Sequence, residues 1–211
     1  MNESVTIAIS KGRILEESLP LLARIGLAPT EKIESTRKLV LPTENPNVQL
    51  LVICASDVPT YVQYGAADLG IAGKDVLLEL DGGGLYELMD LGISRCQMMV
   101  AGYPDRAVGR NRRRIATKYV RTAQSYFAQQ GIQVEIIKLY GSMELAPIMG
   151  LADQIVDLVA TGGTLRANGL APIEHIADIS SRLVANKASM KIKFDTLHAL
   201  IENFRSATER S

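Results

Sequence analysis

Residues 155–165 read Ile155-Val156-Asp157-Leu158-Val159-Ala160-Thr161-Gly162-Gly163-Thr164-Leu165. An apolar run of strand length ends at two glycines flanked by threonines, at the start of a helix-like stretch. A strand meeting a Gly-rich turn in this way is anion-binding architecture. Glycine lets the backbone take positive φ and approach a ligand closely, successive N–H groups converge, and the Thr161 and Thr164 hydroxyls add donors. A phosphate monoester fits such a cradle. Asp157, four residues before Thr161, belongs near the strand's carboxyl end, where ligands of open α/β sheets bind, and its carboxylate can accept from vicinal sugar hydroxyls. Cradle and carboxylate together point to a ribose phosphate. The plainer alternative for the tetrapeptide alone is a tight turn beside a solvated Asp157. Neither a Gly-x4-Gly-Lys-Ser/Thr loop nor a Gly-x-Gly-x-x-Gly turn after a strand occurs, which weighs against P-loop hydrolysis and dinucleotide redox chemistry.

The same alternation extends in both directions. Val5 to Ser10 reads as a buried strand, followed by a helix with Leu15, Leu19 and Leu22 on one face and Gly26 as its stop. Leu50 to Cys54 is a second strand, Ser56-Asp57 a helix cap, Gly65 the end of a short helix, and Leu69 to Ala72 a third strand. Gln97 to Gly102 is strand-like, Tyr119 to Gln130 helical, Val134 to Leu139 a strand, and Lys191 to Ala207 an amphipathic helix. Strands alternating with helices predict an α/β protein with mainly parallel sheets. The Gly-rich stretch Asp81-Gly82-Gly83-Gly84 reads as a surface turn.

The 211 residues carry 23 Lys+Arg against 23 Asp+Glu, so no field of positive charge marks a nucleic-acid or anionic-membrane binder. Two isolated cysteines, Cys54 and Cys96, and two histidines, His175 and His198, offer no metal-ligand spacing. Both histidines sit in helical or half-buried patterns away from any recognisable nucleophile and read as structural. The N-terminus shows no basic region ahead of an apolar segment, and no run approaches the ~20 apolar residues that cross a bilayer, so the cytoplasm is the expected compartment.

Ser10-Lys11-Gly12-Arg13 places two cations and a glycine at a helix N-terminus. Positive side chains gain nothing from the dipole there and make better sense facing a polyanion, although solvation is the plainer account. Arg37-Lys38 is a weaker instance. Gly70-Ile71-Ala72-Gly73-Lys74-Asp75 repeats the arrangement after the third strand, with Asp75 as a helix cap. The basic run Arg110, Arg112, Arg113 and Arg114 lacks interleaved aromatics and reads as a solvated loop.

Taken together, these residues resemble the short form of the ATP phosphoribosyltransferase family over essentially the whole chain. The signature is met at Glu144, Gly150, Leu151-Ala152, Ile155, Asp157-Leu158, Thr161-Gly162 and Thr164-Leu165. Ser10 to Arg13, Asp57 to Val62, Gly65 to Ile71, Gly73 to Leu77, Tyr140 to Pro147 and Ser180 to Leu183 extend the match. The resemblance implies a two-lobed fold similar to type II periplasmic binding proteins, with the active site in the interlobe cleft. Lobe I would take residues 1–94 and 181–211, and lobe II, holding phosphoribosyl pyrophosphate, residues 95–180. The implied reaction joins ATP and phosphoribosyl pyrophosphate into N1-(5-phosphoribosyl)-ATP and pyrophosphate, opening histidine biosynthesis, with Mg²⁺ carried on the substrate phosphates.

On this resemblance Glu144, Asp153, Asp157, Ala160, Thr161, Gly162, Gly163 and Thr164 would hold phosphoribosyl pyrophosphate. Gly12, Arg13, Asp57, Gly73 and Asp75 would contact ATP, and Lys11, Arg13 and Arg37 would be the catalytic cations. No resident metal site is implied. A homodimer is implied, as is a hetero-oligomer with a regulatory subunit similar to histidyl-tRNA synthetase. Two positions depart from the family pattern: Cys54 and Gln97 stand where the family often has basic residues. The rival readings are a type I phosphoribosyltransferase, which usually has adjacent acids just before its loop, and a solute-binding protein of the same fold without turnover.

Overall fold

The computed structural model describes residues 3–31, 33, 37–80, 83–104 and 113–209. Asp81 and Gly82 of the Gly-rich stretch, and Arg110 and Arg112 of the basic run, lie outside the described residues. Two compact units emerge, residues 1–94 with 180–211, and residues 95–179.

The chain first lays down β1 (Val5–Ser10), α1 (Arg13–Arg24), β2 (Val40–Pro42), β3 (Val48–Ile53), α2 (Val58–Gln63), β4 (Leu69–Gly73), α3 (Lys74–Leu78) and β5 (Leu85–Asp90). It then builds the second unit from β6 (Cys96–Gly102), β7 (Arg113–Thr117), α4 (Val120–Gln129), β8 (Val134–Lys138), α5 (Leu145–Ile148), β9 (Gln154–Val159), α6 (Gly163–Ala167) and β10 (Ala171–Ile179). β11 (Ser181–Asn186), α7 (Ser189–Ile192) and α8 (Phe194–Glu209) return to the first unit. Ser180, which the sequence reading put in the second lobe, belongs with the first unit: its carbonyl accepts the Lys74 N–H at 2.9 Å and its hydroxyl donates to Asp90 at 2.7 Å.

Each unit has its own sheet, in the order β2-β3-β1-β4-β11-β5 and β10-β6-β9-β7-β8. The α/β alternation holds, but the sheets are mixed rather than mainly parallel. β1 lies parallel to β3 and β4, and β7 parallel to β8 and β9, while the remaining pairs are antiparallel. The reason lies in the connections. The parallel neighbours are joined by helix-bearing segments, whereas β10 and β11 enter the two sheets as one extended run that needs no crossover helix.

Arg113 and Arg114, expected in a loop, open β7. His175 lies on β10, not on a helix, and its Nε2 is 3.0 Å from Asp178 Oδ1, a contact that lowers the Asp178 pKa. The C-terminal amphipathic segment is two helices, α7 and α8, not one.

The first core joins Ile7, Ile9, Leu50, Leu69 and Ile71 of the sheet to Leu22 of α1 and to Leu197 and Phe204 of α8. A charged pin fastens the C-terminal segment. Lys193 Nζ lies 2.9 Å from Asp68 Oδ1, Asp68 Oδ2 accepts the Thr6 N–H at 2.9 Å, and Asp68 is buried. Asn186 closes the same corner, donating to the Val62 carbonyl at 2.7 Å and accepting the Ser189 N–H at 2.7 Å. The second core gathers Ala101, Ala116, Ile155 and Leu165 with Met143 and Ala146. Among the described residues no helix is long and apolar enough to cross a membrane.

Candidate active site

The site of the second unit follows from where two neighbouring strands stop. β9 is the middle strand of its sheet and pairs with β7 only as far as Thr117↔Val156, whereas its pairing with β6 continues through Asp157, Leu158 and Val159. Beyond Thr117 the β7 side of β9 therefore has no strand beside it. Such a notch at the carboxyl ends of parallel strands is where ligands bind in α/β sheets. A pocket of about 220 Å³ opens here, lined by Glu144, Asp157, Ala160 and the turn Thr161 to Thr164, with Ile155 and Leu165 beneath.

Leu165, buried in the core, docks the five-residue α6 on the sheet and so fixes the turn. Gly162 has φ +69° and ψ 10°, left-handed geometry that disfavours a side chain. A Cβ there would also stand 3.0 Å from Arg166 Nη1, a tight contact that the guanidinium relieves by shifting slightly. The i,i+4 spacing and the lean of helical side chains toward the N-terminus carry this guanidinium back over the turn. Gly162→Ala is accordingly expected to destabilise the second unit by about 1–2 kcal/mol, the order of the left-handed penalty. The urea midpoint checks this, and an unchanged midpoint would show that the turn relaxes.

Asp157 is half-buried and accepts the N–H of Leu158 at 2.8 Å. Glu144 reaches the pocket because Met143 and Ala146, on either side of it in the chain, are buried in the core. Of the residues expected to hold phosphoribosyl pyrophosphate, the structure brings together Glu144, Asp157, Ala160, Thr161, Gly162, Gly163 and Thr164. Asp153 is not with them. It precedes β9 at the opposite end of a six-residue strand, ~20 Å in length. There its carboxylate accepts the Arg114 N–H at 2.8 Å and lies 3.4 Å from Arg114 Nη2, so it closes the β7–β9 edge. Arg166, which does not line the pocket but stands beside the turn at Gly162, is the neighbour that sequence reasoning missed. Its spacing of four from Gly162 was the available signal.

In the first unit a second cluster forms at one sheet edge. β3, β1 and β4 are adjacent and parallel, so their carboxyl ends present Lys11-Gly12-Arg13, Cys54 to Asp57, and Gly73 to Asp75 side by side. The Lys11 N–H donates to the Ile53 carbonyl at 3.0 Å. Arg37 precedes β2, which runs antiparallel to β3, and Leu39 accepts the Val52 N–H at 2.7 Å, which directs exposed Arg37 toward the same edge.

Arg13, the first residue of α1, is ion-paired: its Nε lies 2.7 Å from Glu17 Oε1. The Arg13 hydrogen bond, with a further one from the Ser94 backbone, holds the Glu17 carboxyl below the usual carboxylate range. Asp57 occupies the N-cap position of α2 without a capping bond and accepts from Ser56 Oγ at 3.0 Å instead. Gly73, not Asp75, is the N-cap of α3. Asp75 is buried in the first turn with Oδ1 against the Gly73 Cα, where a Cβ would collide. Among the described residues no group of three His, Cys, Asp or Glu side chains gathers as a metal site.

One mixed sheet per unit, with a glycine turn and two carboxylates lining a single pocket, defines an α/β protein with a candidate anion site. Comparison with known proteins narrows this. The family described as "HisG: ATP phosphoribosyltransferase" matches residues 54–206. An ATP phosphoribosyltransferase of Methylococcus capsulatus is 62% identical over 212 residues, covering 98% of this chain and 100% of that one. One from Chromobacterium violaceum is 61% identical over 208 residues, covering 96% and 98%. The solved ATP phosphoribosyl transferase (HisG:HisZ) complex from Thermotoga maritima superposes with a TM-score of 0.85 at 32% identity, over 98% of this chain and 100% of that chain. The periplasmic aliphatic sulphonate binding protein SsuA from Escherichia coli shares the fold at a TM-score of 0.63 and 12% identity, over 98% and 72%. This chain belongs to the ATP phosphoribosyltransferase family, whose members are pentosyltransferases of histidine biosynthesis, and its end-to-end match with relatives of its own length is that of the short form.

Proposed function

We propose that this chain transfers the 5-phosphoribosyl group of phosphoribosyl pyrophosphate to N1 of ATP. The observation that carries the reading is the single pocket shared by Glu144, Asp157 and the Thr161 to Thr164 turn. The turn's amides and hydroxyls hold the 5-phosphate, with the Arg166 guanidinium against Gly162 adding positive charge. Asp157 and Glu144 accept from the ribose hydroxyls. The N1 lone pair forms a bond to the anomeric carbon as the bond to the pyrophosphate oxygen breaks, and pyrophosphate leaves with that electron pair.

No side-chain nucleophile is required, because adenine supplies one. Negative charge grows on the departing pyrophosphate, and Lys11, Arg13 and Arg37 are the cations assigned to it. Gly12, Arg13, Asp57, Gly73 and Asp75 are assigned to ATP. Mg²⁺ arrives as part of the substrate, on its phosphates, and adds Lewis-acid stabilisation to the leaving group. The reading also takes in a homodimer, a regulatory subunit as in the HisG:HisZ complex of the Thermotoga relative, and a cytoplasmic location.

The test is the absorbance change on N1 ribosylation with ATP, phosphoribosyl pyrophosphate, Mg²⁺ and pyrophosphatase. Turnover by the chain alone would establish the reaction and make any partner a regulator. Calorimetric binding of phosphoribosyl pyrophosphate without turnover would point to an obligatory activating subunit. Neither turnover nor binding would favour the solute-binding alternative. Asp157→Asn is expected to weaken phosphoribosyl pyrophosphate binding by about tenfold, the order of one charge-assisted hydrogen bond. Unchanged affinity in calorimetry would remove Asp157 from that role.

A further inference from the structure

Glu17 does more than the usual surface partner of an i,i+4 ion pair. One carboxylate oxygen, Oε1, accepts from Arg13 Nε at 2.7 Å. The other, Oε2, accepts the backbone N–H of Ser94 at 2.6 Å, across 77 residues of sequence. In an ordinary exposed helix pair the second oxygen faces water and both long side chains sample several rotamers. Here one end of the carboxylate is fastened to backbone. That backbone is itself unusual: Ser94 has φ +53°, left-handed for a residue with a Cβ. Left-handed non-glycine residues persist where their surroundings hold them, and the Glu17 bond is one such hold. Ser94 is also the last residue of the first unit before the chain leaves it.

We propose that Glu17 is a positioning residue for Arg13, fixing the plane of its guanidinium by tying it through one carboxylate to the Ser94 amide. This rests on the reading of Arg13 as a cation for the departing pyrophosphate. Electrostatic stabilisation works through donors already aimed at developing charge, and an arginine with four side-chain torsions is not aimed unless something holds it. A carboxylate on Nε sets the guanidinium plane, and a carboxylate anchored to a strained main-chain turn holds that plane still.

The test is a double-mutant cycle on the full-length chain, together with its regulatory subunit if turnover requires one. kcat and the KM for each substrate are measured for wild type, Glu17→Gln, Arg13→Ala and the double variant. Glu17→Gln is expected to lower kcat about tenfold with the KM for ATP within about twofold, and to cause no further loss in the Arg13→Ala background. Glu17→Asp, which keeps the charge but is one methylene too short to reach both partners, is expected to fall between, and it replaces the Gln variant in the cycle if that variant does not fold. Equal losses from the Glu17 substitution in both backgrounds would overturn the proposal, as would unchanged turnover. If Arg13→Ala itself keeps full turnover, the reading of Arg13 falls and the proposal with it. A loss with Arg13→Ala that simply multiplies the Glu17 loss overturns the proposal alone.

Discussion

Arg13→Ala is expected to lower kcat by about 10²–10³-fold, the usual consequence of removing one preorganised electrostatic donor, while the KM for ATP changes by less than about threefold. The expectation follows from where Arg13 stands. It opens α1 at the carboxyl end of β1, on the same sheet edge as Lys11 and Asp57, with its guanidinium held by Glu17. A cation that acts on charge appearing only as pyrophosphate departs contributes to the transition state and little to the ground state, so its loss lowers kcat and kcat/KM together. Steady-state kinetics with both substrates varied decide the matter. A raised KM for ATP at unchanged kcat would leave Arg13 with its assignment to ATP alone and remove it from the departing pyrophosphate.

The second large effect is on stability. Lys193→Met is expected to destabilise the first unit by about 3 kcal/mol, because it strands the Asp68 carboxylate in the core with the Thr6 N–H as its remaining described donor. The lower end of the range for breaking a buried pair applies, since the Lys193 side chain is 25% exposed and water can approach its place. The same substitution removes the ammonium bond to the Ser4 carbonyl, which ties β1 to the C-terminal helices. Urea unfolding should show a lower midpoint at unchanged slope. Adding Asp68→Asn should recover most of the loss, because the stranded charge and not the missing contact is the main penalty. A shift below about 0.5 kcal/mol would mean that water replaces the ammonium.

How far the site was legible depends on how local its parts are. The Thr161 to Thr164 turn, Asp157 and the strand before them lie within eleven residues of sequence, so spacing and glycine placement disclose them. Asp153 shows the limit. Four residues before Asp157, it shares the same strand neighbourhood on paper, but strand direction carries it to the other end of β9 and into a bond with Arg114. Asp57 and Asp75 look like helix caps because carboxylates near a helix start usually are, yet the N-cap bond is absent at Asp57 and the cap of α3 is Gly73.

The strands β10 and β11 stayed hidden for a different reason. Register shifts between Pro172 and Glu174 and between His175 and Ala177 break the two-residue alternation by which a strand is recognised, and no turn signal separates the two strands where the chain changes sheets at Ser180.

Sequence alone determined the features that live within a few residues of one another: the α/β alternation, α1 with its glycine stop, α4, the glycine turn after β9, and a family resemblance resting on contiguous blocks. Periodicity and glycine conformation are local properties, and a chain displays them before it folds. Tertiary structure alone decided the mixed pairing of both sheets, the notch left where β7 stops at Thr117 and β9 continues, and the bonds from Glu17 to Ser94 and from Lys193 to Asp68. Each of these depends on which distant segments are brought side by side. That choice is made by burial of the whole set of apolar faces at once, and no single stretch of sequence carries it.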